Sequence, residues 1–301
     1  MSKKSVEQRD SQTAMFAALF RVVANKELKG DRLGGDYLAE YFLPPFFRFL
    51  IKLKRVRYRV KQRNARLTPG VYEYLIARTA YFDAVFSDGL KLEVPQIVLL
   101  GAGYDTRAFR FANLNRATRV FEVDIETTQS RKIKCLQKAG IELPERTMLV
   151  SMDFNKASLE RVLREAGFEH HQQTLFLWEG VSYYLDPKSV DATLAFVAHE
   201  AAPESAIVFD YGIRVDARNI DSHYGVRTLH RFWTRRRTNE PIRFSIEEGE
   251  IAPFLEERGL RVVEHLDNNE IERAFLTLED GSLIGQPNGI FRLVKASPAP
   301  N

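Results

Sequence analysis

The chain has 301 residues, of which 45% are hydrophobic and 28% are charged, and its formal net charge is +4. This length suits one large domain with a substantial core, or a core domain with insertions, and so modest a charge does not demand a nucleic-acid partner. The single cysteine, Cys135, excludes an internal disulfide and a cysteine metal cluster, and we predict no metal site. The apolar runs are too short to cross a bilayer and the polar N-terminus does not resemble a secretory signal, so we expect a cytoplasmic protein.

The first 90 residues predict helices. Residues 11–28 carry apolar side chains at helical spacing, Gly34 and Gly35 interrupt the pattern, and Asp36 can cap a second helix. Thr68 followed by Pro69 predicts the start of a third helix, with Thr68 as its cap. We therefore expect a helical extension over residues 1–90 and a core domain over residues 91–301.

Residues 46–66 mix aromatic and aliphatic side chains with nine lysines and arginines. Three interpretations compete for this segment. The favoured one is a solvated helix face with an apolar underside. The second is a basic amphipathic surface for a membrane or an acidic substrate, and the third is a nucleic-acid arm.

Strands and helices alternate after Gly89. Apolar runs predict strands at residues 96–101, 119–124, 147–152, 174–179 and 206–211, and helices between them at 106–113, 127–139, 156–166 and 187–201. This order predicts a doubly wound parallel sheet that binds ligands at the carboxyl ends of its strands.

The pattern changes after the fifth strand. Residues 213–245 are longer than a simple crossover requires, and they predict a lid at the ligand edge. A helix is expected over residues 245–258, with Ser245 and Glu248 as a capping box. Strands at 260–265 and 288–295 follow, and their direct connection indicates an antiparallel pair.

The first predicted strand ends in Gly101-Ala102-Gly103, where two glycines allow a sharp turn and close approach to a bound group. The helix predicted after this turn offers free N–H groups to an anion. Thr106 stands in place of the third glycine of the dinucleotide pattern. This departure favours S-adenosylmethionine, which has no phosphate, over a nicotinamide cofactor.

Acidic residues stand at the ends of the next two strands. Asp124 lies where α/β cofactor domains place a ribose-binding carboxylate, and Glu122 could serve instead. Asp153 and its neighbour Phe154 could bind an adenine, or Asp153 could simply cap the next helix.

Two further groups belong to the same predicted edge. Glu179 could take the ammonium group of the cofactor, while Tyr183 or Tyr184 could line the substrate side; the alternative is an acid in a solvated loop beside core tyrosines. Arg78, on the third helix, could meet the cofactor carboxylate or form a structural ion pair with Asp83.

Four stretches together resemble the leucine carboxyl methyltransferase family, including its bacterial branch of S-adenosylmethionine-dependent methyltransferases. They are residues 78–83 (RTAYFD), 100–107 (LGAGYDTR), 121–124 (FEVD) and 178–185 (WEGVSYYL), and the match extends to about residue 212. The resemblance implies a class I, Rossmann-like methyltransferase with a seven-stranded sheet, an N-terminal helical extension and a helical lid after strand five.

The resemblance also implies roles for individual residues. The methionine end of the cofactor falls to Arg78, Gly101 and Gly103, the ribose to Asp124, and the adenine to Asp153 and Phe154. Glu179 completes the pattern, and we add the chain neighbours Ala102, Ile125 and Gly180 to the predicted cofactor site.

The acceptor is harder to predict. A carboxylate is ionised at neutral pH and needs no base, whereas a phenol or an alcohol needs one, for which His223 or His230 are candidates. Arg227 or Arg231 could orient an acidic substrate. We predict O-methylation of a small-molecule or peptide carboxylic acid, with S-adenosylhomocysteine as product. Methylation of a hydroxyl group, an NAD-dependent oxidoreductase and an RNA-modifying protein are the alternatives.

Overall fold

A seven-stranded sheet organises the computed structural model, which describes residues 12–28, 30–154, 156–235, 242–278 and 280–300. The strand order is β3-β2-β1-β4-β5-β7-β6, where β1 to β5 run parallel and β7 is antiparallel to both β5 and β6. The strands are β1 (Gln96–Leu100), β2 (Arg119–Asp124), β3 (Thr147–Ser151), β4 (Thr174–Trp178), β5 (Ala206–Gly212), β6 (Leu260–Leu266) and β7 (Phe291–Pro298). The predicted parallel sheet and the predicted antiparallel pair are both confirmed.

Helices surround this sheet. They are α1 (Gln12–Glu27), α2 (Pro45–Leu50), α3 (Lys54–Leu67), α4 (Val71–Lys91), α5 (Arg107–Arg110), α6 (Glu126–Gln137), α7 (Leu159–Glu165), α8 (Pro187–Glu200), α9 (Val226–Arg235), α10 (Ile251–Glu256) and α11 (Asn268–Ile271). Every residue of β1 and β4 is buried, as expected of central parallel strands covered on both faces. Helix α4 approaches β4 closely, because a Cβ at Gly89 would lie 2.8 Å from Cδ2 of Leu175.

Several predicted boundaries were wrong. Helix α4 begins after Gly70, which has a φ of +75°, whereas Thr68 ends the preceding helix by donating a 2.5 Å hydrogen bond to Oδ1 of Asn64. The expected capping box is wrong as well, because α10 starts only at Ile251 and Glu248 pairs with Arg292 instead. Strand β7 starts three residues later than predicted, since the amide of Asn288 donates to the carbonyl of Gly70 and not to a neighbouring strand.

Glu122 of β2 and Lys132 of α6 form a fully buried ion pair. The Oε2–Nζ distance is 2.7 Å and both side chains are at most 1% exposed. Burial raises the pKa of Glu122, and the nearby ammonium group of Lys132 only partly offsets that effect. Glu122 is therefore a structural residue under the sheet edge, and Asp124, two residues further on, is the acid at the end of β2.

No helix among the residues described is both long enough and apolar enough to cross a membrane.

We expect Lys132→Met to lower the free energy of unfolding by about 3–5 kcal/mol, because it leaves a buried carboxylate without its partner. Urea denaturation followed by circular dichroism measures this loss. The double variant Glu122→Gln/Lys132→Met is the control and should recover most of the stability. A single variant as stable as the wild type would contradict the structural role of this pair.

Candidate functional site

The glycine turn after β1 has the backbone geometry that its sequence predicts. Gly101 and Gly103 have φ angles of +68° and +45°, a region that favours glycine. The amides of Gly101 and Ala102 both donate to the carbonyl of Val123, which holds the turn against the end of β2. A Cβ at Gly101 would lie 2.4 Å from Cγ2 of Val181, so the loop after β4 packs directly on this turn.

Asp124 closes the other side of the glycine turn. Its Oδ2 accepts a 2.5 Å hydrogen bond from the amide of Gly103, and its Oδ1 accepts a 2.7 Å bond from the amide of Ile125. A Cβ at Gly103 would lie 3.6 Å from Cβ of Ala14 in α1, so the N-terminal helix covers this part of the sheet edge. The structure thus brings Gly101, Gly103 and Asp124 together.

The predicted anion site at the following helix was wrong. Helix α5 has only four residues, and its first amide, that of Arg107, donates to Oδ1 of Asp105 at 2.7 Å. Burial would raise the pKa of Asp105, but the charges of Arg107 and Lys132 lower it to about 2. A permanent carboxylate therefore occupies the position at which a dinucleotide-binding domain receives its pyrophosphate.

Arg78 is the centre of a second cluster. Its side chain is 7% exposed, its Nε donates to Glu179 at 2.9 Å, and its Nη1 donates to Asp210 at 2.9 Å and to the hydroxyl of Tyr183 at 3.1 Å. A Cβ at Gly180 would lie 3.1 Å from both Nη1 and Nη2 of Arg78. The structure therefore gathers Arg78, Glu179, Gly180 and Tyr183 at the carboxyl end of β4.

Asp210 was not assigned a function from the sequence, although it accepts more hydrogen bonds than the other acid of this cluster, Glu179. It is fully buried in β5 and accepts hydrogen bonds from Tyr74 at 2.9 Å, Arg78 at 2.9 Å and the amide of Gly180 at 2.6 Å. The available signal was an aspartate inside an otherwise apolar strand run. A buried carboxylate of this kind needs a cationic partner, and here that partner is Arg78.

Asp83 does not pair with Arg78, which contradicts the predicted structural ion pair. It accepts instead from Arg107 at 2.7 Å and from Arg110 at 2.6 Å. Arg107 also lies 2.7 Å from Oε2 of Glu179, so the two buried arginines share that glutamate. The predicted solvated-loop alternative for Glu179 is wrong, because its side chain is only 17% exposed.

Glu179 stays ionised in this setting. Burial would raise its pKa, but the guanidinium groups of Arg107 and Arg78 hold that pKa below the ordinary value. The same reasoning applies to Asp36, where the charges of Arg21 and Arg110 outweigh burial and lower the pKa. The edge of the sheet is thus a network of permanent opposite charges.

Asp153 and Phe154 follow β3 at the same edge of the sheet. Both are partly buried, and Phe154 packs against the core. Ser158, rather than Asp153, caps α7, because its side chain accepts from the amide of Arg161. The alternative that Asp153 only caps this helix is therefore wrong, while its predicted contact with adenine stays a prediction.

The residues predicted on the acceptor side each have different partners. Tyr183 is buried, and burial together with the charge of Asp210 raises the pKa of its phenol. Nε2 of His223 lies 3.3 Å from Oε2 of Glu248, while Arg227 is exposed and pairs with Asp221. His223 and Arg227 belong to the segment predicted as a lid, of which residues 236–241 lie outside the described residues.

The sheet order, the positive-φ glycine turn and the acids after successive strands define a class I, Rossmann-like methyltransferase fold. A crystal structure of a DUF574 family protein from Streptomyces avermitilis MA-4680 superimposes with a TM-score of 0.60, covering 92% of this chain and 97% of that one. Its sequence identity is 15%, so this likeness shows the fold alone.

Sequence comparison shows the family to which this chain belongs. The leucine carboxyl methyltransferase profile matches residues 14–198, and the chain belongs to that family. It is 32% identical over 204 residues to YktD of Bacillus subtilis (strain 168), which is named as an S-adenosyl-L-methionine-dependent methyltransferase. The alignment covers 67% of this chain and 66% of that relative, which is just under two thirds of its length. A relative from Mycobacterium avium (strain 104) with the same name is 28% identical, over 84% of this chain and 82% of its own length. Both relatives are named as S-adenosyl-L-methionine-dependent methyltransferases, and this chain spans just under two thirds of the length of the first.

We expect Asp210→Asn to lower the free energy of unfolding by about 1.5–3 kcal/mol, because it removes the charge from a buried, charge-assisted bond to Arg78. Asp88→Asn is the matched control: Asp88 forms an exposed pair with Lys91 on α4, and its loss should change stability by less than about 1 kcal/mol. Equal effects of the two substitutions in urea denaturation would show that Asp210 does not anchor Arg78.

Proposed function

We propose that this chain is an O-methyltransferase that transfers the methyl group of S-adenosylmethionine to a carboxylate of a small molecule or peptide. One observation carries the proposal. A buried guanidinium and an ionised glutamate, Arg78 and Glu179, lie together beside the glycine turn. They match the carboxylate and ammonium groups of an amino acid.

The cofactor site follows from this arrangement. Bonds from Nε and Nη1 of Arg78 leave its Nη2 directed beside Gly180, where it suits the cofactor carboxylate. Glu179, held ionised by its two arginines, suits the ammonium group. Asp210 is a positioning residue that fixes Arg78 from behind.

The remaining contacts are assigned along the strand ends. The turn formed by Gly101, Ala102 and Gly103 would pass under the methionine portion, Asp124 with Ile125 would hold the ribose, and Asp153 with Phe154 would lie at the adenine. A pyrophosphate fits poorly here, because Asp105 already occupies the start of α5. This is the observation that disfavours the nicotinamide alternative.

When bound, the cofactor supplies a methyl group on a sulfonium, which an acceptor oxygen takes in an in-line displacement. A carboxylate acceptor arrives ionised and needs only positioning and exclusion of water. Tyr183 is no base at neutral pH, because burial keeps its phenol protonated. A carboxylate acceptor requires no proton transfer to His223, whose Nε2 lies 3.3 Å from Oε2 of Glu248, and it is therefore the acceptor that we propose.

The cover over the acceptor is assigned to residues 213–245. The amides of Arg243 and Phe244 both donate to the carbonyl of Tyr183, so the end of this segment is tied to the loop that carries Glu179 and Gly180. Movement of the segment would then displace the loop that carries Glu179 and Gly180. Arg227 and Arg231 are candidates for orienting an acidic substrate from it.

We expect Asp124→Ala to bind S-adenosylhomocysteine about 10- to 100-fold more weakly than the wild type, because charge-assisted hydrogen bonds to the ribose are lost. Isothermal titration calorimetry measures both affinities, and Asp88→Ala serves as an exposed control that should bind normally. Unchanged affinity in Asp124→Ala would remove this residue from the site. Stabilisation of the wild type by NAD and not by S-adenosylhomocysteine would overturn the proposed cofactor.

The acceptor class is tested by the chemistry of the product. Methyl-labelled S-adenosylmethionine is incubated with the protein and pooled carboxylic acids, including peptides with a free C-terminal carboxylate. A methyl ester releases its label as volatile methanol in base, whereas an aryl or alkyl ether keeps it. We expect base-labile product from the wild type and none from Asp124→Ala. A base-stable product would instead support methylation of a hydroxyl group.

A further inference from the structure

An exposed apolar corner connects α2 and α3. Phe46, Phe49 and Leu53 are 74%, 64% and 52% exposed, and Tyr58 on α3 is 64% exposed. Phe46 and Phe49 are three residues apart on α2, so they share one face of that helix, and α2 contains no buried residue. Large apolar side chains clustered in this way on a surface mark a binding face.

Positive charge surrounds this corner and continues along α3. Residues 41–72 contain no aspartate or glutamate. Six exposed cations have no ion-pair partner among the residues that the structure describes: Lys52, Lys54, Arg55, Arg59, Arg63 and Arg66. Two other cations, Arg57 and Lys61, pair with Glu27.

Buried residues support the apolar corner on its inner side. Nη1 of the buried Arg57 donates to the carbonyls of Ile51 and Lys52 at 2.9 and 2.7 Å, which fixes the turn between the two helices. Val56 and Val60 pack against the core on the inner side of α3. The favoured interpretation from the sequence, a solvated face with an apolar underside, therefore describes α3 but not the outward apolar corner.

We propose that this surface, defined by the apolar corner (Phe46, Phe49, Leu53) and the six exposed cations, binds the surface of an anionic lipid bilayer. Aromatic and aliphatic side chains enter the boundary between headgroups and acyl chains, while neighbouring cations are attracted to anionic headgroups. The apolar residues cluster at one corner and include an aliphatic leucine. A single-stranded nucleic acid would instead call for aromatic stacking platforms along a basic groove. This inference is independent of the proposed methyl transfer.

Vesicle co-sedimentation of the full chain tests the proposal. We expect binding to vesicles of phosphatidylglycerol and phosphatidylcholine, little binding to phosphatidylcholine alone, and weaker binding as salt is raised. Phe46→Ser/Phe49→Ser/Leu53→Ser should reduce the partition coefficient about tenfold or more. Arg55→Gln/Arg59→Gln/Arg63→Gln/Arg66→Gln should do the same through charge.

Matched variants elsewhere on the surface control for composition. Leu92→Ser/Leu114→Ser/Leu283→Ser removes three other exposed leucines, and Lys134→Gln/Lys138→Gln/Arg146→Gln/Lys188→Gln removes four other exposed cations. Both should bind anionic vesicles within about twofold of the wild type, and circular dichroism melts should show every variant folded.

Three results of these binding measurements would overturn the proposal. They are no binding of the wild type to anionic vesicles, equal losses in the surface variants and their matched controls, and RNA retention without vesicle binding. A dimer that sediments as such in analytical ultracentrifugation and dissociates in the apolar variant would assign this face to a second copy of the chain instead.

Discussion

The buried positive charge of Arg78 is the constraint on which the candidate site depends. A guanidinium taken out of water is unfavourable unless carboxylates and hydrogen-bond acceptors replace its hydration. The chain supplies Glu179 after β4 and Asp210 within β5. The charge of Arg78 is therefore neutralised only when both strands lie in register beside α4. The position of the groups that we propose to face the cofactor is therefore a consequence of charge balance inside the fold.

The charge network extends from this cluster to the N-terminal helices. Arg107 joins Glu179 to Asp83, and Arg110 joins Asp83 to Asp36. Asp36 is bonded in turn by Arg21 of α1, which also donates to the carbonyl of Tyr104 in the glycine turn. Helix α1 also packs into the core through buried apolar side chains such as Phe20 and Val23. We propose that the helices of the first 90 residues serve as a cover over the cofactor.

The family and the fold restrict the reaction more than they restrict the acceptor. Most of the groups that we propose for the cofactor lie at strand ends, whose positions the sheet fixes, whereas the acceptor contacts that we propose lie in the segment 213–245. Loops at the ligand edge can vary without disturbing a scaffold of this kind. The acceptor is therefore the property for which product chemistry, rather than structural likeness, is decisive.

The sequence alone determined what depends on local pattern. Apolar runs specified the strands because central parallel strands are buried on both faces, the two glycines specified the turn because they accept positive φ, and Asp124 was identified as the acid at the end of β2. Helix ends were less predictable. Thr68 was expected to cap α4, but its hydroxyl donates to Oδ1 of Asn64 in the preceding helix, α3.

Only the tertiary structure decided which charges meet. Arg78 and Asp83 are five residues apart, which places them roughly 140° apart around a helix, so they point to different partners. Asp210 became the anchor of Arg78 although 132 residues separate them, and Arg107 came to share Glu179. Pairings of this kind depend on how strands order themselves in the sheet, because long-range contacts follow from packing and leave no periodic trace in the sequence.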